Sequence, residues 1–293
     1  MAESRPHGGN PGSPSICIGK PRQSSDESHF FALPRRRYAR GFTGGDADIY
    51  KFARPEFERH LEAIAQAPRR GEVTVVNSVP GKVASGSLLL TFDDGGVTAM
   101  SIAALLESYG WRGHFFITTD YIGKPAFLSK DQIRELYARG HVVGSHSCSH
   151  PARMSRCPPE QLQREWLEST RALTEILGAT STVASVPGGY YARRVAIAAA
   201  AAGIEVLFNS EPTTRIKQVA GCRVFGRYSI RQGVSANTVG TIASGNWPPR
   251  VRQYLYWNSK KIAKRLGGSY YLTLRKWALR KDPIDDRSAG SGL

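Results

Sequence analysis

The sequence has little of what would place it in several common protein classes. Its 293 residues include four cysteines, irregularly spaced and without a Cys-x-x-Cys pair. We therefore expect neither a disulfide framework nor a structural zinc site built on thiolates. No run approaches the ~20 apolar residues of a membrane span. The polar N-terminus lacks the apolar core of a secretory signal, which predicts a cytoplasmic protein.

Acidic residues are also scarce. The chain has 24 Asp and Glu against 40 Lys and Arg, for a net charge of +16. The excess lies at the ends, because residues 1–45 hold 7 basic and 3 acidic residues and residues 246–293 hold 11 and 3. The second segment interleaves cations with aromatic residues, which suits either peripheral association with an anionic membrane or a solvated basic face. No nucleic-acid recognition motif accompanies the charge, so nucleic acid is not an expected partner.

Three regions differ in their patterns. Residues 1–45 are rich in Gly, Pro, Ser and Arg without an apolar period, which predicts a mostly disordered basic segment. Residues 46–245 alternate apolar, strand-length runs with helical patterns, and residues 246–293 form the basic, aromatic-rich segment. The alternation predicts an α/β domain with a parallel sheet. In such folds, functional sites gather at the C-terminal ends of the strands.

Two of these strand ends carry candidate metal ligands and a base. Asp93 and Asp94 follow the apolar run 87–92, and His146 and His150 follow the run 141–145. Adjacent carboxylates there are costly unless paired or metal-bound, although one Asp could also cap a helix. Two imidazoles at i and i+4 suit zinc, although a histidine pair in a polar loop is also common. Together, one carboxylate and two imidazoles make a three-ligand site, and the second carboxylate can act as a general base.

A third strand end carries a glycine-rich loop. Pro187-Gly188-Gly189 follows the predicted strand 181–186, and Tyr190 and Tyr191 come next. Such a loop exposes backbone N–H groups, as an oxyanion hole requires, or forms a simple turn. We take Gly188 as a candidate oxyanion donor and the two tyrosines as candidate substrate contacts.

These motifs resemble those of a known family. Thr91-Phe92-Asp93-Asp94-Gly95, followed by His146-Ser-x-x-His150, is similar to the first two motifs of the polysaccharide deacetylase family (NodB homology, carbohydrate esterase family 4). The resemblance implies a distorted (β/α) barrel. It also implies hydrolysis of an N-acetyl, O-acetyl or formyl group on a glycan or an amino-sugar precursor. A cytoplasmic location would suit a lipid- or nucleotide-linked precursor.

The resemblance also implies roles for individual residues. Asp93 matches the family's general base, which acts on a metal-bound water. Asp94, His146 and His150 match its ligands to a divalent metal ion, usually zinc. Gly188 matches a position whose N–H can hold the oxyanion.

The chain departs from the family pattern at several positions. Ser185 stands where the family has the arginine that holds the base, and Gly188 replaces an aromatic residue. Residues 208–211 do not match the fourth motif, and no histidine follows His150, although the family's general acid is a late histidine. The leaving-group proton would then come from Asp93 itself or from Tyr190 or Tyr191, unless the substrate is an ester.

The departures leave other interpretations open. They favour a catalytically impaired glycan-binding module on the same fold as the alternative function. Two histidines and a carboxylate also suit a non-heme iron oxygenase, although those sites usually occur on antiparallel folds.

Overall fold

The computed structural model describes residues 15–17, 20–22, 51–68, 71–76, 87–231 and 233–266. These residues form a sheet flanked by helices, with strands and helices alternating along the chain. The predicted α/β class with a parallel sheet is therefore confirmed.

The main sheet has ten described strands, and a second, two-stranded sheet pairs β2 with β3. The strands are β1 (Ser15–Cys17), β2 (Lys20–Arg22), β3 (Lys51–Ala53), β4 (Val73–Thr74), β5 (Leu88–Phe92), β6 (His114–Ile117), β7 (Val142–Ser145), β8 (Val183–Ser185), β9 (Val206–Phe208), β10 (Lys217–Val219), β11 (Cys222–Phe225) and β12 (Tyr228–Ser229). Strands β5 to β9 are buried along their whole length, which explains their continuous apolar runs.

The strand order is β10-β11-β9-β8-β7-β6-β5-β1-β12, with β4 also paired to β5. Every described pair is parallel except β10 with β11. Within the described residues this path runs openly from β10 to β12, so closure into a complete barrel stays a prediction.

Seven α-helices accompany the sheet in the described part of the chain. They are α1 (Arg54–Ala65), α2 (Thr98–Ser108), α3 (Lys130–Ala138), α4 (Pro159–Leu177), α5 (Arg193–Ala201), α6 (Ala236–Ala243) and α7 (Trp247–Leu266). Helix α3 begins at a capping box in which Ser129 Oγ accepts from the Gln132 N–H and Gln132 Oε1 accepts from the Ser129 N–H. Helix α4 ends at Gly178, whose φ of 66° is the left-handed conformation that glycine adopts without strain.

The register of the central strands places their C-terminal ends at one edge of the sheet. Ile117 pairs with Ser145, and Ser185 pairs with Phe208. Because these strands are parallel and adjacent, the loops that follow β5, β6, β7, β8 and β9 leave from the same edge. This edge is where the sequence predicted the chemistry.

The ends of the chain contribute elements that the sequence patterns did not indicate. Strand β1 lies between β5 and β12, although residues 1–45 were predicted to be mostly disordered. The rest of that segment, apart from residues 20–22, lies outside the described residues. Helix α7 falls in the predicted basic segment, of which residues 267–293 also lie outside the described part. The domain boundaries therefore stay predictions. Among the described helices, none combines the length and the apolar character that a membrane span needs.

Candidate metal centre and active site

Three side chains from two strand ends converge on one point. One ligand atom from each of Asp94, His146 and His150 lies within 4.8 Å of the others. Asp94 Oδ1 is 3.3 Å from His146 Nε2 and 3.6 Å from His150 Nε2. Ligands placed tetrahedrally at 2.0–2.1 Å around zinc lie about 3.3 Å apart. The donor types and their spacing therefore fit a divalent transition metal ion.

Both histidines present a lone pair to this point. His146 is buried, and its Nδ1 donates to the Ser185 carbonyl oxygen at 3.0 Å, so Nε2 is the lone-pair nitrogen of the neutral ring. Burial, followed by the neighbouring His146, lowers the pKa of His150 to about 4, against the opposing effect of Asp94. Neutral imidazoles are the form that binds metal.

The loop that carries the histidines is held by a buried glutamate. Glu165 on α4 accepts hydrogen bonds from the backbone N–H groups of Cys148 at 3.0 Å and Ser149 at 2.8 Å, and from the Ser149 hydroxyl. Ser147 Oγ accepts from the His150 N–H at 3.1 Å. These bonds satisfy the backbone of a loop that is not in a sheet or helix, and they fix the position of His150.

The backbone is unusual at the same place. Five non-glycine residues in the described part have positive φ, and three of them are Asp94 (73°), Ser147 (64°) and His150 (57°). This conformation is uncommon for non-glycine residues and is concentrated at functional sites. Two of the three candidate ligands are thus held in the left-handed region.

Asp93 is held by an arginine that the sequence did not lead us to expect. Arg227 Nη1 and Nη2 donate to Asp93 Oδ1 and Oδ2 at 2.9 and 3.1 Å, a bidentate pair. Burial alone would raise the pKa of Asp93, but the charge and the hydrogen bonds of Arg227 outweigh it and hold the pKa below its usual value. Asp93 is therefore ionised, as a general base must be.

Arg227 itself is buried, with 1% of its surface exposed. Its Nε donates to the Asn209 carbonyl oxygen at 3.0 Å and its Nη1 to Thr91 Oγ1 at 3.3 Å. Asn209 belongs to the region that did not match the fourth family motif, and it serves here as a support for the arginine. Ser185, in contrast, has a buried hydroxyl with no hydrogen-bond partner among the described residues.

Arg227 lies far in sequence from position 185, where the family resemblance places an arginine. The available signal was that Arg227 lies between the strand-like residues Val224-Phe225 and Tyr228 in the stretch 222–230. A buried arginine requires acceptors, and the carboxylate of Asp93 was the evident candidate.

The Pro187-Gly188-Gly189 loop forms a 3₁₀ turn beside the site. Gly188 is exposed with a φ of 59°, and the loop's internal hydrogen bonds use the N–H groups of Gly189, Tyr190 and Tyr191 as donors. A Cβ on Gly189 would lie 2.5 Å from Ser210 Oγ, so this position requires glycine. The role of the Gly188 N–H as an oxyanion donor stays a prediction.

The two tyrosines face different surroundings. Tyr190 lies over the loop, since a Cβ on Gly188 would be 3.2 Å from Tyr190 Cδ2. Tyr191 packs against the hydrophobic cluster that contains Cys222, and burial, then Cys222 and Glu211, raise the pKa of its hydroxyl. Tyr190 is thus the better placed of the two for a substrate contact, and both assignments stay predictions.

Sequence reasoning also missed a third tyrosine. Burial, followed by the charges of Asp120 and Asp94, raises the pKa of Tyr121, so its hydroxyl lies within electrostatic reach of a candidate ligand. Its ring stacks on Phe127 with centroids 4.8 Å apart. Cys148, between the two histidines, directs its Sγ to Asp120 Oδ1 at 3.0 Å and is not part of the three-ligand cluster.

Parts of the chain are similar to known proteins. Residues 81–207 match the family model described as Polysaccharide deacetylase. The resemblance to the polysaccharide deacetylase family is confirmed. The chain is 25% identical over 190 residues to the Bacillus subtilis protein named Putative polysaccharide deacetylase YxkH, covering 63% of this chain and 67% of that protein. It is 33% identical over 89 residues to a chitooligosaccharide deacetylase of Bradyrhizobium, covering 30% of this chain and 38% of that protein.

The fold of the family is found in solved structures too. The Streptococcus pyogenes deacetylase PplD aligns with a TM-score of 0.57 and 16% identity, over 78% of this chain and 97% of that one. The predicted fold of the polysaccharide deacetylase type is therefore confirmed. The matched part of this chain spans 38% of the length of the Bradyrhizobium relative.

Proposed function

We propose that this chain is a metal-dependent deacetylase that removes an N-acetyl group from an amino sugar of a glycan. The observation that carries the proposal is the Asp94, His146 and His150 cluster beside an ionised Asp93 held by Arg227. An O-acetyl or formyl group is the other acyl chemistry that this site could accept. The names of the relatives support a carbohydrate substrate, and a lipid- or nucleotide-linked form stays a prediction.

The candidate ligands suit a divalent ion, and we propose zinc because one carboxylate and two imidazoles are typical of zinc hydrolases. Such an ion supplies Lewis acidity, which polarises an acyl carbonyl and lowers the pKa of water. Asp93 takes the proton of the attacking water, since each carboxylate oxygen keeps a lone pair beyond the one that Arg227 uses. The Gly188 N–H donates to the developing oxyanion.

The direct test is acetate release from a panel of N-acetylhexosamine oligosaccharides by purified protein, by chelator-treated protein and by protein reconstituted with zinc. We expect release with the untreated and reconstituted samples and loss of release after chelation. Equal release before and after metal removal would reject the metal-dependent mechanism. Absence of release with every substrate, together with measurable glycan binding, would support the alternative of a glycan-binding module.

The source of the leaving-group proton gives a separate prediction. Asp93, protonated by the water, can pass its proton to the amine nitrogen, which needs no further residue. We therefore expect that Tyr121→Phe, Tyr190→Phe and Tyr191→Phe each keep most of the wild-type kcat, measured by acetate release at saturating metal. A drop of roughly 100-fold or more in one variant, on the order of general acid catalysis, would assign the proton to that tyrosine instead.

We also propose peripheral association of helix α7 with an anionic membrane. Trp247 and Leu255 lie two turns apart on α7 and are 72% and 61% exposed, and the segment 246–293 carries a net positive charge. Such a stripe suits an anionic lipid interface. We expect co-sedimentation with anionic vesicles that weakens at high salt and in Trp247→Ser/Leu255→Ser. Leu167→Ser on α4, where Leu167 is 51% exposed, is the control. Equal sedimentation with neutral and anionic vesicles would contradict the proposal.

A further inference from the structure

Five arginines lie on loops that leave the sheet edge beside the candidate site. The loops after β7, β8 and β9, with the first turn of α5, leave from the sheet edge where the site lies. They carry what we call the basic rim, which consists of Arg153, Arg156, Arg193, Arg194 and Arg215. All but the half-buried Arg153 are exposed. Glu211 is the single acidic residue in residues 146–158, 186–194 and 209–216, and Lys217 Nζ neutralises it at 2.6 Å.

The rim lies next to the candidate metal ligands because the strands beneath it are neighbours. Ser145 of β7 pairs with Ala184 of β8, and Ser185 of β8 pairs with Phe208 of β9. His146 directly follows β7 and bonds to the carbonyl group of Ser185, so the candidate metal centre sits at the border of β7 and β8. The loops that carry the rim therefore leave the sheet beside the candidate metal centre.

Two of the loops are also joined to each other. Arg194 Nε donates to the Ser155 carbonyl oxygen at 3.1 Å, and α5 packs against the 3₁₀ helix Met154–Arg156. This contact brings the cations at 153, 156, 193 and 194 into one surface. The loops after β5 and β6, on the other side of the site, contribute Asp93, Asp94 and Asp120 with a single lysine, Lys124.

Four arginines on the outer helices differ from the rim in forming ion pairs. Their partners are carboxylates three or four residues away or on a neighbouring helix, namely Arg54 with Glu58, Arg134 with Asp131, Arg139 with Glu107 and Arg171 with Glu175. Among the described residues, no carboxylate lies within ion-pair distance of a basic-rim guanidinium. The rim arginines share this lack of ion pairs with Arg59 and Arg164 on the outer helices, so their guanidinium groups are not occupied by carboxylates of the described fold.

The macrodipole of α5 also disfavours the two rim arginines at the start of this helix. Arg193 and Arg194 occupy the first turn of α5, which contains no acidic residue. Cations at this end of a helix oppose its macrodipole, and adjacent like charges repel. Arg194 is compensated by its bond to the Ser155 carbonyl oxygen. Arg193 makes no ion pair or side-chain hydrogen bond among the described residues, and a cation placed in this way is typical of a functional surface.

We propose that the basic rim binds negative charge on the substrate. The glycan from which the acyl group is removed is then anionic, and it carries carboxylate or phosphate groups next to the N-acyl sugar. This inference rests on the proposed function and narrows its substrate class. Guanidinium groups bind carboxylate and phosphate through paired, charge-assisted hydrogen bonds, whereas a neutral chito-oligosaccharide offers the rim no charge.

The test compares three probes in the acetate-release assay. They are a neutral N-acetylhexosamine oligomer, an oligosaccharide in which N-acetylhexosamine alternates with uronate, and a nucleoside diphosphate N-acetylhexosamine. We expect kcat/KM to be highest for an anionic probe and to fall with rising salt. The better of the two anionic probes identifies the source of the charge as a polymer carboxylate or a pyrophosphate. Equal kcat/KM for neutral and anionic probes would overturn the inference and leave the proposed function intact.

Variants assign the effect to the rim. In Arg153→Gln/Arg193→Gln, we expect the ratio of kcat/KM for the anionic over the neutral probe to fall about tenfold, as the loss of two solvent-screened charge contacts would give. Arg59→Gln/Arg171→Gln removes the same charge from α1 and α4 and should keep the wild-type ratio. If the ratio fell equally in both double variants, the preference for the anionic probe would depend on net charge and not on the rim arginines. That result would overturn the assignment to the rim.

Direct binding separates this inference from the catalytic one. We expect the uronate oligosaccharide to bind the wild-type protein more tightly than the neutral oligomer in calorimetry, even if no acetate is released from any probe. Tight, salt-sensitive binding without turnover would reject the proposed activity and keep the rim as an anion site. Equal affinity for both oligomers would reject the basic rim as an anion-binding surface.

Discussion

Replacing Asp93 with asparagine should lower kcat for acetate release by about 100-fold or more, because the amide cannot take a proton from water. The protein should still bind about one metal ion, since the three-ligand cluster consists of Asp94, His146 and His150 and does not include Asp93. The side-chain amide of the variant would keep one acceptor for Arg227, so folding should be affected less than activity. Metal analysis and steady-state kinetics on the same preparation measure the metal content and kcat of the variant.

His150→Ala is the matched comparison for this experiment. It removes a candidate ligand and leaves the Asp93–Arg227 pair in place. We expect loss of both metal and turnover, whereas Asp93→Asn loses turnover alone. If Asp93→Asn were to lose metal and regain full activity at high zinc, the roles of Asp93 and Asp94 would have to be exchanged.

Removing the guanidinium of Arg227 should damage both stability and catalysis. In Arg227→Met, the partly buried Asp93 would lose its charge partner, and breaking such a pair costs roughly 3–5 kcal/mol of unfolding free energy. Arg227→Lys keeps the charge but cannot reach both carboxylate oxygens, so we expect an intermediate loss of kcat. Thermal unfolding, far-UV circular dichroism and acetate release on each variant separate the two effects.

The pH dependence of kcat/KM distinguishes two roles of Arg227. In one, Arg227 positions the base Asp93 and lowers its pKa, and in the other it only stabilises the fold. The charge of Arg227 lowers the pKa of Asp93, so in the variants the pKa should rise. Asp93 acts as a base when ionised, and the acidic limb of kcat/KM should therefore move to higher pH in Arg227→Lys and further in Arg227→Met. An unchanged limb, with lower stability alone, would show that Arg227 only holds the fold.

An exchange variant tests whether an arginine at position 185 can replace Arg227 as the partner of Asp93. Ser185 occupies the family's arginine position and has an unsatisfied buried hydroxyl. Ser185→Arg combined with Arg227→Ser should regain part of the activity lost in Arg227→Ser, because the introduced guanidinium replaces the missing one near Asp93. No recovery in a folded double variant would show that only strand β12 and its preceding turn can present the guanidinium correctly.

The sequence predicted the elements that have strong periodicity. Helix α3 was recognised from its Ser129 capping box and α4 from its amphipathic pattern, and the apolar runs of β5 to β9 have the continuity of strands buried on both faces. The convergence of Asp94, His146 and His150 followed from placing them at the ends of parallel strands. These features depend on local sequence or on one general rule of α/β folds.

What could not be predicted depends on partners that are distant in sequence. Strands of two to four residues, such as β1 and β12, have no readable period, and their place in the sheet comes from pairing across the chain. The local sequence around Arg227 indicates that this arginine needs an acceptor, but its pairing with Asp93, 134 residues earlier, depends on the fold. The orientations of Tyr190 and Tyr191 are set by the packing of a loop, where sequence gives only proximity.

The position of β1 has a consequence for how the molecule assembles. Strand β5, which ends just before Asp93, is flanked by residues 15–17, and the guanidinium that holds Asp93 is supplied from residue 227. Both lie outside the stretch 81–207 that matches the family model. Contacts between such remote segments raise contact order and slow folding, because long loops must close before they contribute stability. During synthesis, the base would therefore remain without its arginine until the twelfth strand has left the ribosome, so catalytic competence should be acquired late.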